Sequence, residues 1–259
     1  MIDDGIFSQI FVVPTLNILL LFHRLFSLIK LPGAFGFSII GLTLFIRFLL
    51  SPLNKKQTEM TRKLNELKPE IEKLEKKYKN DKNRLQQEQL KLYQQAGINP
   101  GVGCLLPFIQ LPFFIGLYNV LSVFLIKNNK INPIDLINKN VYFSFLKISN
   151  INSWFFGFNL ALSPQKSGSW YYLFIPLITA FLQYLQIEMM TPKTKESEDK
   201  KDKKNENEDV QKMMNIQMKL MMPAFIGWFA YTLPVGLSLY WNIFSIFGIF
   251  QAKKLSVKN

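Results

Sequence analysis

The chain has 259 residues, 49% hydrophobic and 14% aromatic, with a formal net charge of +13. Its apolar residues come in blocks long enough to cross a bilayer, separated by lysine-rich stretches, which excludes an ordinary soluble domain. The positive charge avoids the apolar blocks and collects in loops, as orientation signals do, so it does not argue for sequence-specific nucleic-acid binding.

One cysteine, Cys104, excludes an internal disulfide and lacks the partners for a thiolate metal site, so small apolar filler is its expected role. The single histidine, His23, stands beside Arg24 and reads as an interfacial side chain rather than a ligand. No cofactor is expected. The opening "MIDDG" carries two acids and no base, so no secretory signal peptide is expected, and no transit peptide is evident. The expected location is the plasma membrane of a bacterium, as a multi-pass protein.

Residues 6–30, "IFSQIFVVPTLNILLLFHRLFSLIK", are apolar but interrupted. At 100° per residue, Ser8, Thr15, His23, Ser27 and Lys30 fall within roughly a 120° sector, while Asn17 and Arg24 do not. With Pro14 inside it, the stretch reads as an amphipathic helix lying in the interface, the rival being an additional span.

Five spanning segments follow: Gly33 to Leu53, Val102 to Ile126, Trp170 to Met190, Ile216 to Leu233 and Val235 to Gln251. Each is near the roughly 17–25 residues that cross about 30 Å of hydrocarbon. The last two meet at "TLPVGLS", a tight turn, and form a helical hairpin. Residues 54–100, 191–215 and the tail after 251 together hold 22 Lys and Arg, against 7 in residues 1–32 and 127–169. Placing the richer side in the cytoplasm puts the N-terminus outside and the C-terminus inside, which an odd number of spans requires.

The loop at 54–100 carries its own periodicity. Met60, Leu64, Leu67, Ile71, Leu74 and Tyr78 recur at alternating spacings of 4 and 3, then Leu85 and Leu92 resume after "KNDK" at 79–82. Pro69 fits the first turn of a new helix, so the loop predicts a cytoplasmic antiparallel helical hairpin. Its charges could be a solvated face or a docking face. Residues 191–215 show no apolar periodicity and nearly balanced charge, and are expected to be flexible.

The expected fold class is therefore an all-α membrane protein. It has five transmembrane helices, N-out and C-in, with an N-terminal interfacial helix and a cytoplasmic helical hairpin.

Arg47 is the residue that this layout does not explain. Only the 12 residues from Phe35 to Ile46 separate it from the outer end of the first span, about 18 Å of helix. The span must continue toward Pro52, leaving the arginine backbone about 8 Å inside the cytoplasmic edge of the hydrocarbon. Its side chain could snorkel to the headgroups. Yet Gly36, Ile40, Thr43, Arg47, Ser51 and Asn54 fall within about 40° of one line, so small and polar residues share its face.

Pro176, Thr179, Gln183 and Gln186 in the third span, and Ser238, Asn242 and Ser245 beside Trp241 in the fifth, form similar stripes. Gln110 lies between Pro107 and Pro112 in the second. Each stripe alone fits ordinary helix–helix hydrogen bonding, but four together, one with a cation, suggest a hydrophilic cavity. The candidate groove residues are Thr43, Arg47, Ser51, Gln110, Gln183, Trp241 and Asn242. Five methionines between residues 213 and 222 fit either core filler or an adaptable apolar contact surface. No GxxxxGK[ST], HExxH or GxSxG motif and no pair of intramembrane aspartates is found, so no enzymatic activity is expected.

The motifs "GLTLFIRFLLSPLNKKQ", "LYQQAGINPGVGCLLPFIQLPFFIGLYNVL" and "LPVGLSLYW" resemble the YidC-type membrane protein insertases, and the order of elements is similar from about residue 5 to 253. The resemblance implies an insertase and membrane chaperone that moves hydrophobic helices from cytoplasm to bilayer without nucleotide hydrolysis. It implies a positively charged groove, open to cytoplasm and lipid, with Arg47 as its arginine and Gln183 and Trp241 as further groove residues. Nascent membrane proteins and the lipid bilayer are the implied partners, with the ribosome, a Sec translocon and signal-recognition machinery as candidates.

The hairpin at 69–95 resembles the cytoplasmic region needed for activity. No large domain precedes the first span, as in the compact Gram-positive form. No lipoprotein cysteine lies near the N-terminus, and the tail "AKKLSVKN" is short for ribosome binding. The loop at 127–169 is unusually long and aromatic, and nothing assigns it a role. The alternative functions are a small-solute transporter or channel, which would call for internal repeats not seen here, and a purely structural assembly factor.

Overall fold

The structure, a computed structural model, describes residues 5–78, 81–97, 100–123, 132–190 and 206–256. Among these the helices are α1 (Val13–Leu28), α2 (Ala34–Leu49), α3 (Ser51–Glu66), α4 (Lys68–Lys77), α5 (Lys82–Gln95) and α6 (Pro100–Val123). After these come α7 (Pro133–Lys139), α8 (Pro164–Ser167), α9 (Phe174–Met190), α10 (Glu206–Thr232) and α11 (Val235–Ser256). Contacts divide the chain into two units, residues 1–46 with 113–259, and residues 47–112.

In the first unit a π-helical run, Ser8–Val12, leads into α1. Pro14 has no N–H to give the carbonyl one turn back, and the wider register before it sits where that bond is missing. Three polar residues in the first half of this stretch turn inward, while Arg24 and Ser27 stay exposed. Ser8, Thr15 and Asn17 are buried, while Leu21, Leu25 and Leu28 are exposed. The sector expected to face water thus faces protein at Ser8 and Thr15.

Phe22 rests on Gly41 of α2, and Phe11 packs edge-on against Phe113 of α6 at 6.1 Å. α9 packs along both α10 and α11. The expected turn between α10 and α11 is observed at Leu233–Pro234, where the Leu233 N–H closes the helix end on the Phe229 carbonyl at 2.8 Å.

Three helical stretches among the described residues are long and apolar enough to cross a membrane: Ser8–Leu28, Trp170–Met189 and Val235–Lys253. Ala34–Leu49 and Leu111–Val123 are shorter apolar helices. Helices satisfy their backbone polar groups internally, which hydrocarbon demands.

The described part of the long loop, 132–173, is built of α7, a 3-10 turn (Ser144–Leu146), a hairpin of β1 (Trp154–Phe155) and β2 (Phe158–Asn159), α8 and a second 3-10 turn (Trp170–Leu173). Side chains staple it. Asn17 donates to the Asn140 carbonyl at 3.0 Å and accepts from the Tyr142 N–H at 2.7 Å. Asn138 exchanges two bonds with the backbone of Ile148. The first N–H groups of α11, from Val235 and Gly236, donate to the carbonyls of Leu162 and Leu160 at 2.9 and 2.8 Å, so the loop caps that helix.

Phe155 seats against the start of α2. A Cβ at Gly33 or Gly36 would come within 2.7 or 2.2 Å of its ring, so only glycine admits it. Gly33 also holds φ at +74° in the turn that enters α2.

In the second unit, the helix expected from Gly33 to Leu53 is interrupted at Leu50. Pro52 cannot donate to the Phe48 carbonyl and its ring would collide with it, so α2 stops at Leu49 and α3 restarts at Ser51. Pro69 occupies the first turn of α4, as expected. Asp81 caps α5, accepting from the Arg84 N–H at 3.0 Å. α4 packs against α5, and Met60, Leu64, Leu67, Ile71, Leu74, Tyr78, Leu85 and Leu92 are all partly buried. Lys77 and Arg84 lie over the Tyr78 ring at 5.3 and 5.4 Å. Lys91 donates to Glu88 at 2.8 Å, holding that carboxyl below its usual range.

The expected turn residues 79–80, residues 124–131 (the end of the expected second span and the start of the long loop) and most of the expected flexible loop (191–205) lie outside the described residues, as do the side chains of Asn54, Cys104, Gln110, Met213, Met214 and Met218.

Candidate functional site

The expected polar stripes of α9 and α11 meet. The Trp241 indole N–H donates to Gln183 Oε1 at 2.9 Å, and the Ser245 hydroxyl donates to the same oxygen at 3.4 Å. Trp241 and Ser245 are one turn apart on α11, so a single glutamine reaches both. The edge of Phe114 from α6 meets the Trp241 ring at 5.4 Å. Beside this cluster lies a shallow crevice with room for about one water, lined in part by Phe114, Thr179, Ser238 and Trp241.

Two polar atoms remain unsatisfied. Asn242 Oδ1 and Ser238 Oγ are buried and have no hydrogen-bond partner among the described residues. A buried polar atom left so costs about 1–3 kcal/mol, a cost that water or a polar guest removes. α11 thus carries buried polar atoms beside a crevice whose walls are mostly apolar.

The α2 residues behave differently. Thr43 is fully buried and donates to the Ile39 carbonyl at 2.6 Å, one turn back on its own helix. Arg47 is the only charged residue of α2 and is 4% exposed. It belongs to the second unit, as does Ser51, which is partly buried at the start of α3. The structure thus brings Gln183 and Trp241 into contact, with Asn242 next to Trp241 on the same helix, and buries Arg47. The side chain of Gln110 lies outside the described residues.

Ser245 lay on an expected stripe but outside the expected groove set. Phe114 carried no signal among 24 phenylalanines. Glu188 and Lys219, which fall near the ends of the third and fourth expected spans, approach each other across α9 and α10 at 3.9 Å. Among the described residues no cluster of His, Cys, Asp or Glu could hold a metal ion.

Comparison with known proteins identifies a family. The family model for the 60Kd inner membrane protein matches residues 27–258. The chain is 30% identical to the membrane protein insertase YidC of Oceanobacillus iheyensis over 254 residues, covering 96% of this chain and 83% of that protein. It is 29% identical to the membrane protein insertase YidC 2 of Bacillus anthracis, over 96% of this chain and 80% of that one. It is also 30% identical to the inner membrane protein ALBINO3 of Arabidopsis thaliana, covering 83% of this chain but 45% of the plant protein. The chain belongs to the 60Kd inner membrane protein family, the YidC-type family that its motifs resemble.

Proposed function

We propose that this protein is a membrane insertase and chaperone that moves hydrophobic segments of nascent proteins from cytoplasm into the plasma membrane of a bacterium, without nucleotide hydrolysis. Its topology on this reading is five spans, N-out and C-in, with the α1 region in the interface. The observation that carries the reading is Arg47, a cation 4% exposed on an otherwise uncharged apolar helix, in a chain similar along 96% of its length to a named insertase.

An arginine within the hydrocarbon costs up to about 2.5–3.5 kcal/mol on insertion scales, the value at the bilayer centre, which favours a wet pocket that keeps it charged. The groove residues are Thr43, Arg47, Ser51, Gln110, Gln183, Trp241 and Asn242. An acidic or polar portion of the client pairs transiently with Arg47, while its apolar portion slides along the lipid-facing sides of α9 and α11. That pairing is worth about 1–4 kcal/mol at a contact distance of 4 Å. Twenty leucine-like residues entering lipid gain about 6–12 kcal/mol, so release into the bilayer wins. The hairpin of α4 and α5 is the docking element for partners, among them the ribosome, a Sec translocon or signal-recognition machinery.

Complementation of an insertase-depleted strain tests this. Arg47→Lys retains partial function, and Arg47→Ala abolishes insertion of clients with acidic tails. A folded, abundant Arg47→Ala protein that complements fully defeats the proposal.

A further inference from the structure

The hairpin at 154–159 carries a conflict that water does not resolve. Its two-residue turn places Phe156 at φ +46° and Gly157 at φ +85°. A primed turn needs left-handed backbone at both positions, where Asn, Asp and Gly are favoured and a bulky side chain is disfavoured. Phe156 is nevertheless 79% exposed. Trp154, at the start of the hairpin, is also exposed, as are Trp170 and Phe174 beside it in sequence order along the route into α9.

The hairpin is held rigidly at the ends of two apolar helices. Phe155 fills the notch at Gly33 and Gly36 and meets Phe37 edge-on at 5.2 Å. At its other side, the Asn159 N–H donates to the Tyr172 hydroxyl at 2.7 Å, and Tyr172 lies in the 3-10 turn that runs directly into α9. Asn159 Oδ1 accepts from Ser153 and from the Ala161 N–H, closing the base. These ties fix the hairpin at the Gly33 end of α2 and the Trp170 end of α9. Helix ends of this kind lie at the membrane–water interface, where tryptophan and other amphipathic rings concentrate.

We propose that this hairpin is a lipid-seated anchor, with Trp154 and Phe156 inserted into the boundary between headgroups and acyl chains. The occupant of this surface is lipid because α9, whose start is tied to the hairpin through Tyr172, itself exposes an apolar face of Phe174, Leu177, Ile178 and Phe181. The Phe156 ring meets Phe155 edge-on at 4.7 Å and Phe37 at 6.3 Å, and its remaining surface enters hydrocarbon rather than water, which offsets the strained backbone. The anchor needs only that the chain spans a membrane, so it stands or falls separately from client insertion.

The test uses the full chain with Trp154 as its one tryptophan, Trp170, Trp228 and Trp241 being replaced by Phe, and circular dichroism to verify folding. The protein is reconstituted at high lipid excess in phosphatidylcholine–phosphatidylglycerol vesicles whose acyl chains are brominated near the glycerol end. Trp154 emission is expected to fall about two-fold relative to unbrominated vesicles, with little quenching by aqueous acrylamide. Free quenching by acrylamide without quenching by bromine overturns the proposal, and shielding from both overturns it in favour of a protein cover. Phe156→Asn in the same background suits the turn better. It should leave the melting temperature in detergent unchanged or higher and weaken the bromine quenching. A lower melting temperature with unchanged quenching would mean that the ring serves internal packing, and would refute the anchor.

Discussion

Asn17→Ala is expected to loosen the long loop without touching the α9–α11 seam. Asn17 is 4% exposed and joins α1 to backbone 123 and 125 residues away, at Asn140 and Tyr142. Its third bond, to the Val13 carbonyl at 2.8 Å, lies within α1. Truncation leaves the Asn140 carbonyl and the Tyr142 N–H without this partner. Net contributions of about 0.5–1.5 kcal/mol per bond give about 1–3 kcal/mol, and side-chain bonds in membrane proteins often fall at the low end. At about 2–4 °C per kcal/mol for chains of this size, the melting temperature in detergent should fall by about 4–8 °C for a 2 kcal/mol loss. Limited proteolysis should gain cuts between residues 132 and 160. Asn17→Leu, which restores volume but not the bonds, should lose about as much. If both variants melt within about 1 °C of the wild type and gain no cut, the stapling argument is wrong.

Other expectations follow from the same packing. Gly36→Ala puts a methyl against Phe155, and overpacking of about 1–3 kcal/mol, partly offset by about 1 kcal/mol of helix propensity, should lower the melting temperature; Phe155→Leu should relieve part of that loss, whereas additive effects would show that the two positions are independent. In a Cys104→Ser background, Phe7→Cys and Leu28→Cys should both react with an impermeant maleimide added outside the cell if α1 lies in the interface. Reaction of one alone would mean that the Ser8–Leu28 stretch crosses the membrane, as its length permits. Trp241→Phe removes the donor to Gln183 but keeps the ring against Phe114, and should impair client insertion about 2–10-fold through about 0.5–1.5 kcal/mol, while leaving the abundance of the protein unchanged; full activity would remove Trp241 from the groove.

Features written in local chemistry were legible in the chain. Pro69 marks the first turn of α4, the apolar series from Met60 to Tyr78 gives the partly buried positions of α3 and α4, and the Pro/Gly turn joins α10 to α11. The polar stripes of α9 and α11 were also visible in the spacing, although which of their members bond, Gln183 with Trp241 and Ser245, was not. What the chain concealed depends on distant partners. Asn17 fell off the polar sector of α1, yet it is the residue that clamps the loop. Gly36 read as a small residue on the arginine's face, with nothing to announce the ring of Phe155 arriving from a distant part of the sequence. Thr43 shared that face too, and periodicity cannot distinguish a hydroxyl that lines a cavity from one bonded to its own helix. Pro52 was visible, but its effect in dividing the first span at Leu50 was not drawn from it.

Photo-crosslinking to a ribosome-stalled client tests the central claim most directly. A photoreactive residue at position 183, beside Trp241, should capture the client's hydrophobic segment at an early chain length, and Arg47→Ala should reduce that capture when the client's tail is acidic. The same probe at Leu25, on the exposed side of α1, should capture little. Equal capture from both positions, or none from 183 while insertion proceeds, would contradict a client path along the α9–α11 seam.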